Sequence, residues 1–193
     1  MFPVARWVEK LSTRRDLKRI RPRAREALPF VGTAPAAGGP LMLDTSVYIH
    51  GLQGRTPPEL QSVLRLRTAH HSVIATQELL HAIGVLDPSH PDTARNVAVI
   101  RALLDGIPLH RLYAPDADTL IDAAIVAGIL CRLRGYARDQ RMKALHDCTL
   151  YLQALKTGCT LLTANVADFD LLQQLRPDGR VLFYEVVQRT STG

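Results

Sequence analysis

Along the 193-residue chain, short apolar runs bounded by turn residues alternate with longer segments whose apolar positions recur every three or four residues. The first run is LMLDTSVYI, 41 to 49, where Leu41, Met42, Leu43, Val47 and Ile49 read as a buried strand of the kind found inside a parallel sheet. Further strands are expected at LHRLY (109 to 113), CTLLT (159 to 163) and VLFYE (181 to 185). Between them, Pro57 and Pro58 open a helix through PPELQSVLRLR, since a first helical turn tolerates a missing N–H. HSVIATQELLHAIG carries Thr76 as an N-cap, with Leu79, Leu80 and Ile83 on the apolar face. A helix over 92 to 105 is capped by Asp92 and buries Val97, Ile100, Leu103 and Leu104. Two more run from about 116 to 134 and from 140 to 157, the latter ended by Gly158, and a short one covers 168 to 175. Strands alternating with helices imply an α/β domain with a mostly parallel central sheet, because parallel neighbours need crossover connections. No apolar run approaches the roughly 20 residues that cross a bilayer, and IDAAIVAGILC at 121 to 131 reads as a buried helix.

One residue breaks the first run. A buried ionised Asp costs several kcal/mol unless it is paired, hydrogen-bonded or metal-bound, so Asp44 needs either a strand-end role or a site. In parallel sheets ligands gather at the carboxyl ends of strands and the helix starts beside them. Acids recur in such places: Glu78 in the first turn of TQELLHAIG, Asp147 among Leu145, Cys148, Leu152 and Leu155, and Asp168 and Asp170 in LLTANVADFDLL. Each also has an ordinary use, Glu78 as a charge favoured by the helix dipole and Asp168 as a helix cap.

Composition refines the picture. With 47% hydrophobic and 22% charged residues, the chain suits one globular domain plus some excess. Residues 1 to 40 hold nine Lys or Arg against three acids, which accounts for the whole formal charge of +6. They form a basic extension closed by the linker TAPAAGGP, so the domain proper is expected at 41 to 193. Such an arm has nucleic acid, an anionic surface or an acidic protein as its usual partners, and Val4, Trp7, Val8 and Leu11 leave room in it for an amphipathic helix. RIRPRARE follows STRRDLK where an export signal needs an apolar core, so export is not expected. Cys131, Cys148 and Cys159 have neither zinc spacing nor the even count of a disulfide framework, and a reducing cytoplasm is the expected compartment. RLRGYARDQRMK, 132 to 143, carries five cations against Asp139 and reads as either a phosphate-contacting rim or a solvated loop.

Taken together, LDTSVYI, ATQEL and DCTLYLQALKTGCTLLTANVADF, in this order and spacing, resemble the PIN domain, specifically the VapC-like toxin ribonucleases of bacterial toxin–antitoxin pairs. The resemblance spans residues 41 to about 185. It implies a PIN-like three-layer fold, cytoplasmic hydrolysis of RNA phosphodiester bonds, a bound Mg²⁺ or Mn²⁺, an antitoxin partner and a homodimer. It makes Asp44, Glu78 and Asp147 the core acids and metal ligands. The fourth acidic position falls in TANVADF, where this chain has Asn165, and Asp168 is taken for it; Ser46 and Thr163 match hydroxyls that orient the site. The chemistry agrees, since converging carboxylates stay ionised most cheaply around a hard cation, and an all-oxygen set selects Mg²⁺ or Mn²⁺ over zinc. His146 is expected to point off the acidic face, about 100° from Asp147 on a helix. Two rivals stand beside this reading. A receiver or phosphohydrolase domain also places an Asp at the end of an early strand, but the phosphohydrolase pattern wants a second Asp where Ser46 stands, and an inactive PIN fold would bind RNA or protein without cleaving it.

Overall fold

The structure, a computed structural model, describes residues 20–188. Five parallel strands stand in the order β3-β2-β1-β4-β5: β1 (Leu41–Leu43), β2 (Ala69–Ser72), β3 (Leu112–Tyr113), β4 (Thr160–Thr163) and β5 (Arg180–Phe183). Among the described residues seven α-helices flank them: α1 (Thr45–Leu52), α2 (Pro58–Leu66), α3 (Val73–Gly84), α4 (Thr93–Asp105), α5 (Ala117–Arg134), α6 (Arg141–Lys156) and α7 (Val166–Leu175). The period of two along each strand divides the core between the two faces of the sheet. Leu41, Leu43, Leu162 and Leu182 pack with Val47, Leu60, Val63 and Leu79 of α1, α2 and α3. Met42, Leu161, Val181 and Phe183 pack with Leu130, Leu150, Tyr151 and Phe169 of α5, α6 and α7. The α/β, three-layer expectation therefore holds.

The elements differ from the sequence expectation at their ends. The first strand stops at Leu43, not Ile49. Asp44 is still extended, but its carbonyl accepts the N–H of Val47 at 3.0 Å and opens α1, so Val47 is buried while Ile49 is exposed. Strand β2 has the sequence AHHS and carries no apolar run, being paired on one side to the central β1 and on the other to the two-residue β3. Ser72, not Thr76, caps α3: its Oγ accepts from the Ile74 N–H at 3.1 Å, and Thr76 lies inside the helix donating its hydroxyl to the Val73 carbonyl. Residues Leu109–Arg111 form a 3-10 turn that leaves only Leu112–Tyr113 for β3. Asp92 stands at the N-cap of α4 without a side-chain cap bond, and Ile100, Leu103 and Leu104 are only partly buried. Both Gly135 (φ 66°) and Gly158 (φ 69°) turn the chain in the left-handed region at the ends of α5 and α6, a conformation that is cheap only without a Cβ.

The part of the basic extension within the described residues is packed on the domain. Leu28 and Phe30 are buried in the α5–α7 layer. Phe183 donates its N–H to the Pro29 carbonyl and accepts from Val31, both at 2.8 Å, so residues 29–31 run beside the β5 edge. Arg23 binds the buried Asp170 through both its backbone N–H (2.8 Å) and its Nε (2.5 Å). The helix expected around Val4, Trp7, Val8 and Leu11 lies outside the described residues.

Candidate active site

The chain lays down β1, β2 and β3 in one direction and then crosses over to add β4 and β5 on the other side of β1. A parallel sheet opens a crevice at such a switch point, outside the carboxyl ends of the two strands that flank it. Here those ends are Leu43 of β1 and Thr163 of β4, paired in register through Leu43 and Leu162. Asp44 follows directly, its N–H donating to the Leu162 carbonyl at 3.0 Å. Only 5% of it is exposed. Its Oδ2 accepts from Ser46 Oγ at 2.5 Å and from Thr163 Oγ1 at 2.7 Å, so both hydroxyls do orient this carboxylate. Tyr184 reaches Ser46 Oγ at 3.4 Å and is itself held by His50 at 2.9 Å, which extends the support outward.

Helix α6 brings Asp147 to the crevice, 6% exposed, and α7 brings Asp168, 5% exposed. Asn165 is the N-cap of α7 and Asp168 sits in its first turn, so Asp168 is not the cap residue. The Asn165 side chain works in two directions: Oδ1 accepts the Asp168 N–H at 3.4 Å, while Nδ2 donates to Oδ2 of Asp147 (3.2 Å) and of Asp168 (3.0 Å). Lys143, one turn before Asp147, places Nζ 3.2 Å from the same Asp147 oxygen and 3.3 Å from the same Asp168 oxygen. Tyr136 donates to the other Asp168 oxygen, with Arg134 Nε 3.8 Å away.

Glu78 enters from α3. Thr45 donates to its Oε2, and His146 Nδ1 lies 2.9 Å from its Oε1. The expectation that His146 points away from the acids is thus corrected: it does turn off Asp147, and that side of α6 is where α3 delivers Glu78. Tyr136 and Lys143 were visible only as members of a basic segment, and their bonds depend on how α5, α6 and α7 meet.

The electrostatics divide the acids into two kinds. Burial, followed by the charge of Asp44, pushes the Asp147 carboxyl up to about 7 despite the Lys143 ammonium. Burial also raises Asp44, although the Ser46 and Thr163 hydroxyls oppose it. For Asp168 burial works upward too, but hydrogen bonds from Tyr136 and Asn165, with the charge of Lys143, hold it below the usual range. Glu78 likewise ends below its ordinary value because His146 and Thr45 outweigh burial, and the Glu78 bond raises His146 in return. Two buried carboxylates, Asp44 and Asp147, are therefore left short of positive charge.

That shortage and the all-oxygen donors suit a hard divalent cation. The positions as they stand are less open: among the described residues, no three or more His, Cys, Asp or Glu side chains are arranged to hold a metal ion. Lys143 and Asn165 lie between Asp147 and Asp168 instead. The donor chemistry fits the ion, Asp44 and Asp147 being the two acids that burial holds above their ordinary values.

An apolar groove of about 340 Å³ runs beside Glu78, lined by Ile49 and Leu52 of α1, Leu79 and Ala82 of α3, and Val99 and Ile100 of α4. Among the described residues no helix is long and apolar enough to cross a membrane.

No protein-family model matches the chain, and no curated protein matches it. Solved structures do. A chain of the DNA-bound VapBC structure from Salmonella typhimurium superposes with a TM-score of 0.53 at 18% identity, over 76% of this chain and 98% of that one. A chain of VapBC2 from Rickettsia felis, bound to a DNA fragment from its promoter, gives 0.50 at 15% identity over 75% and 98%. The FitAB structure bound to a DNA fragment gives 0.51 at 15% identity over 75% and 94%. At such identities the likeness defines the fold, and the chain has the PIN-like α/β architecture, a mostly parallel sheet between helical layers.

Proposed function

We propose that this chain is a divalent-metal-dependent endoribonuclease acting as the toxin of a toxin–antitoxin pair. One observation carries the reading: two buried carboxylates from different elements, Asp44 and Asp147, stand at the switch-point crevice, and burial with the charge of Asp44 holds the Asp147 carboxyl above its ordinary value despite Lys143. Asp44, Glu78 and Asp147 would hold Mg²⁺ or Mn²⁺, with Asp168 bracing Asp147 or adding a ligand. When bound, such an ion would offset charge on a phosphodiester and lower the pKa of an attacking water. The chain's own groups do the rest. Ser46 and Thr163 fix the Asp44 carboxylate, and Glu78, held ionised by His146 and Thr45, is available to orient a water and take its proton. Arg132, Arg138 and Arg141, exposed around the turn that joins α5 to α6, would contact phosphate together with Arg134, whose Nε lies 3.8 Å from Asp168.

By the same resemblance the chain would form a homodimer and be silenced by a small antitoxin. The groove beside Glu78 suits an apolar segment of that partner. A cation carried by the segment could then reach the carboxylates.

The second reading, a PIN fold that binds without cutting, draws on Asn165 and on the lack of three acids arranged around one point among the described residues. Purified protein with RNA and Mn²⁺ separates the two. The nuclease reading expects cleavage that EDTA stops and that Asp147→Asn reduces by more than about a hundredfold while the fold is kept. RNA binding without cation-dependent cleavage would select the second.

A further inference from the structure

Lys143 Nζ and Asn165 Nδ2 both bridge the same two oxygens, Oδ2 of Asp147 and Oδ2 of Asp168, at 3.0 to 3.3 Å. Two donors and two acceptors thus close a ring in which the ammonium stands between carboxylates, the place a second shared cation would take. The ring is assembled from two helices: Lys143 and Asp147 share one face of α6 at i and i+4, and α7 contributes its cap residue and its first turn. Its two carboxylates are almost fully buried, whereas the Lys143 side chain is 62% exposed. An exposed four-carbon stem can withdraw, and the buried acids cannot follow it.

We propose that Lys143 is a built-in counter-cation that competes with a divalent ion for Asp147 and closes the Asp147–Asp168 half of the crevice to metal. The proposal rests on the metal-site reading above. It makes Lys143 a residue that sets cation affinity, and Asp168 a brace on Asp147, not a ligand. In the cation-free chain Lys143 offsets repulsion between two buried acids. A cation arriving between Asp44 and Asp147 must draw Asp147 away from an ammonium that already partly neutralises it. Asn165 completes the arrangement, because an amide donates to both acids and adds no charge of its own, where a fourth carboxylate would have attracted a second ion.

The test measures Mn²⁺ binding to the full chain by titration calorimetry and by loss of the free-ion paramagnetic resonance signal, together with the thermal midpoint in EDTA. Lys143→Met keeps the apolar stem and removes the charge; Lys143→Arg keeps a charge. Since a charge-assisted hydrogen bond is being removed from the competing state, Lys143→Met should bind Mn²⁺ at least about tenfold more tightly than the parent. Its midpoint in EDTA should fall, and the rise on adding Mn²⁺ should exceed the parent's. Lys143→Arg should bind close to the parent. Equal Mn²⁺ affinity in parent and Lys143→Met overturns the competition while leaving the metal site standing. Absence of binding in both overturns the metal-site reading and the proposal with it.

Discussion

Asp147 has the most telling environment of any single residue. Its carboxyl rises from 3.8 to about 7 on folding, so between those values the folded chain holds a proton that the unfolded chain has released. The residue's contribution to stability is therefore greatest in acid and is lost as pH climbs across that window. A divalent cation binds the ionised form, which reverses the sign for the bound state. The rise in melting temperature caused by Mn²⁺ should thus grow between about pH 5.5 and 7.5 and then level off. Calorimetry at several pH values checks this, with Asp147→Asn expected to show a small and flat increment; a pH-independent increment in the parent would remove Asp147 from the site. What could be read at this scale was the anomaly of a charge inside apolar sequence, which marks Asp44 and Asp147 from the residues alone. His146, Tyr136 and Lys143 carry no such anomaly. Each is an ordinary polar residue on a helix or in a loop, and only the approach of a second helix makes it a partner.

At the scale of the element, α7 carries two acids two residues apart that serve different ends. Asp168 faces the crevice, held by Tyr136, Asn165 and Lys143, while Asp170 faces the N-terminal segment and receives two bonds from Arg23. Their substitutions should separate cleanly. Asp168→Ala should lower RNA cleavage with modest change in the melting temperature, because its partners are exposed or can turn to water. Asp170→Ala should leave cleavage per folded molecule near the parent's and cost about 1–3 kcal/mol, at the lower end for a broken buried pair because Arg23 is a third exposed and can swing out. Urea titrations beside initial rates measure both, and equal loss of activity from the two variants would return Asp168 to a structural role. The elements themselves were legible where periodicity was long, as in α5 and α6. They were obscure where tertiary pairing overrides local pattern. Strand β2 is AHHS and shows no apolar alternation, and α1 contains the β-branched Thr45, Val47 and Ile49 yet is helical, opened by the Asp44 carbonyl accepting the Val47 N–H.

For the whole molecule the open matter is the basic extension, which charge and composition set apart at residue 40 and whose described part, residues 20–40, packs against the rest of the chain. Residues 20–40 include Leu28 and Phe30, 6% and 5% exposed, the strand-like pairing of 29–31 with β5, and the Arg23–Asp170 pair. Residues 1 to 19 keep six Lys or Arg against two acids. We therefore expect two shortened chains to behave differently. Starting at Gly39 removes two buried side chains and a covered sheet edge, a loss on the order of 5 kcal/mol and so comparable to the whole stability of a small domain. That chain should be largely unfolded or aggregated by circular dichroism. Starting at Ile20 keeps all of that packing, and its melting temperature should lie within a few degrees of the parent's. If the first 19 residues touch phosphate, the Ile20 chain should bind RNA with a shallower salt dependence. The slope should fall by roughly 0.7–0.9 for each phosphate that the missing cations would have neutralised, since fewer counterions are released. Its turnover at saturating RNA should be unchanged, because all four acids and Lys143 remain. Parallel salt slopes for the parent and the Ile20 chain would exclude those residues from RNA, and a stable Gly39 chain would mean that Leu28 and Phe30 cover a core already complete without them.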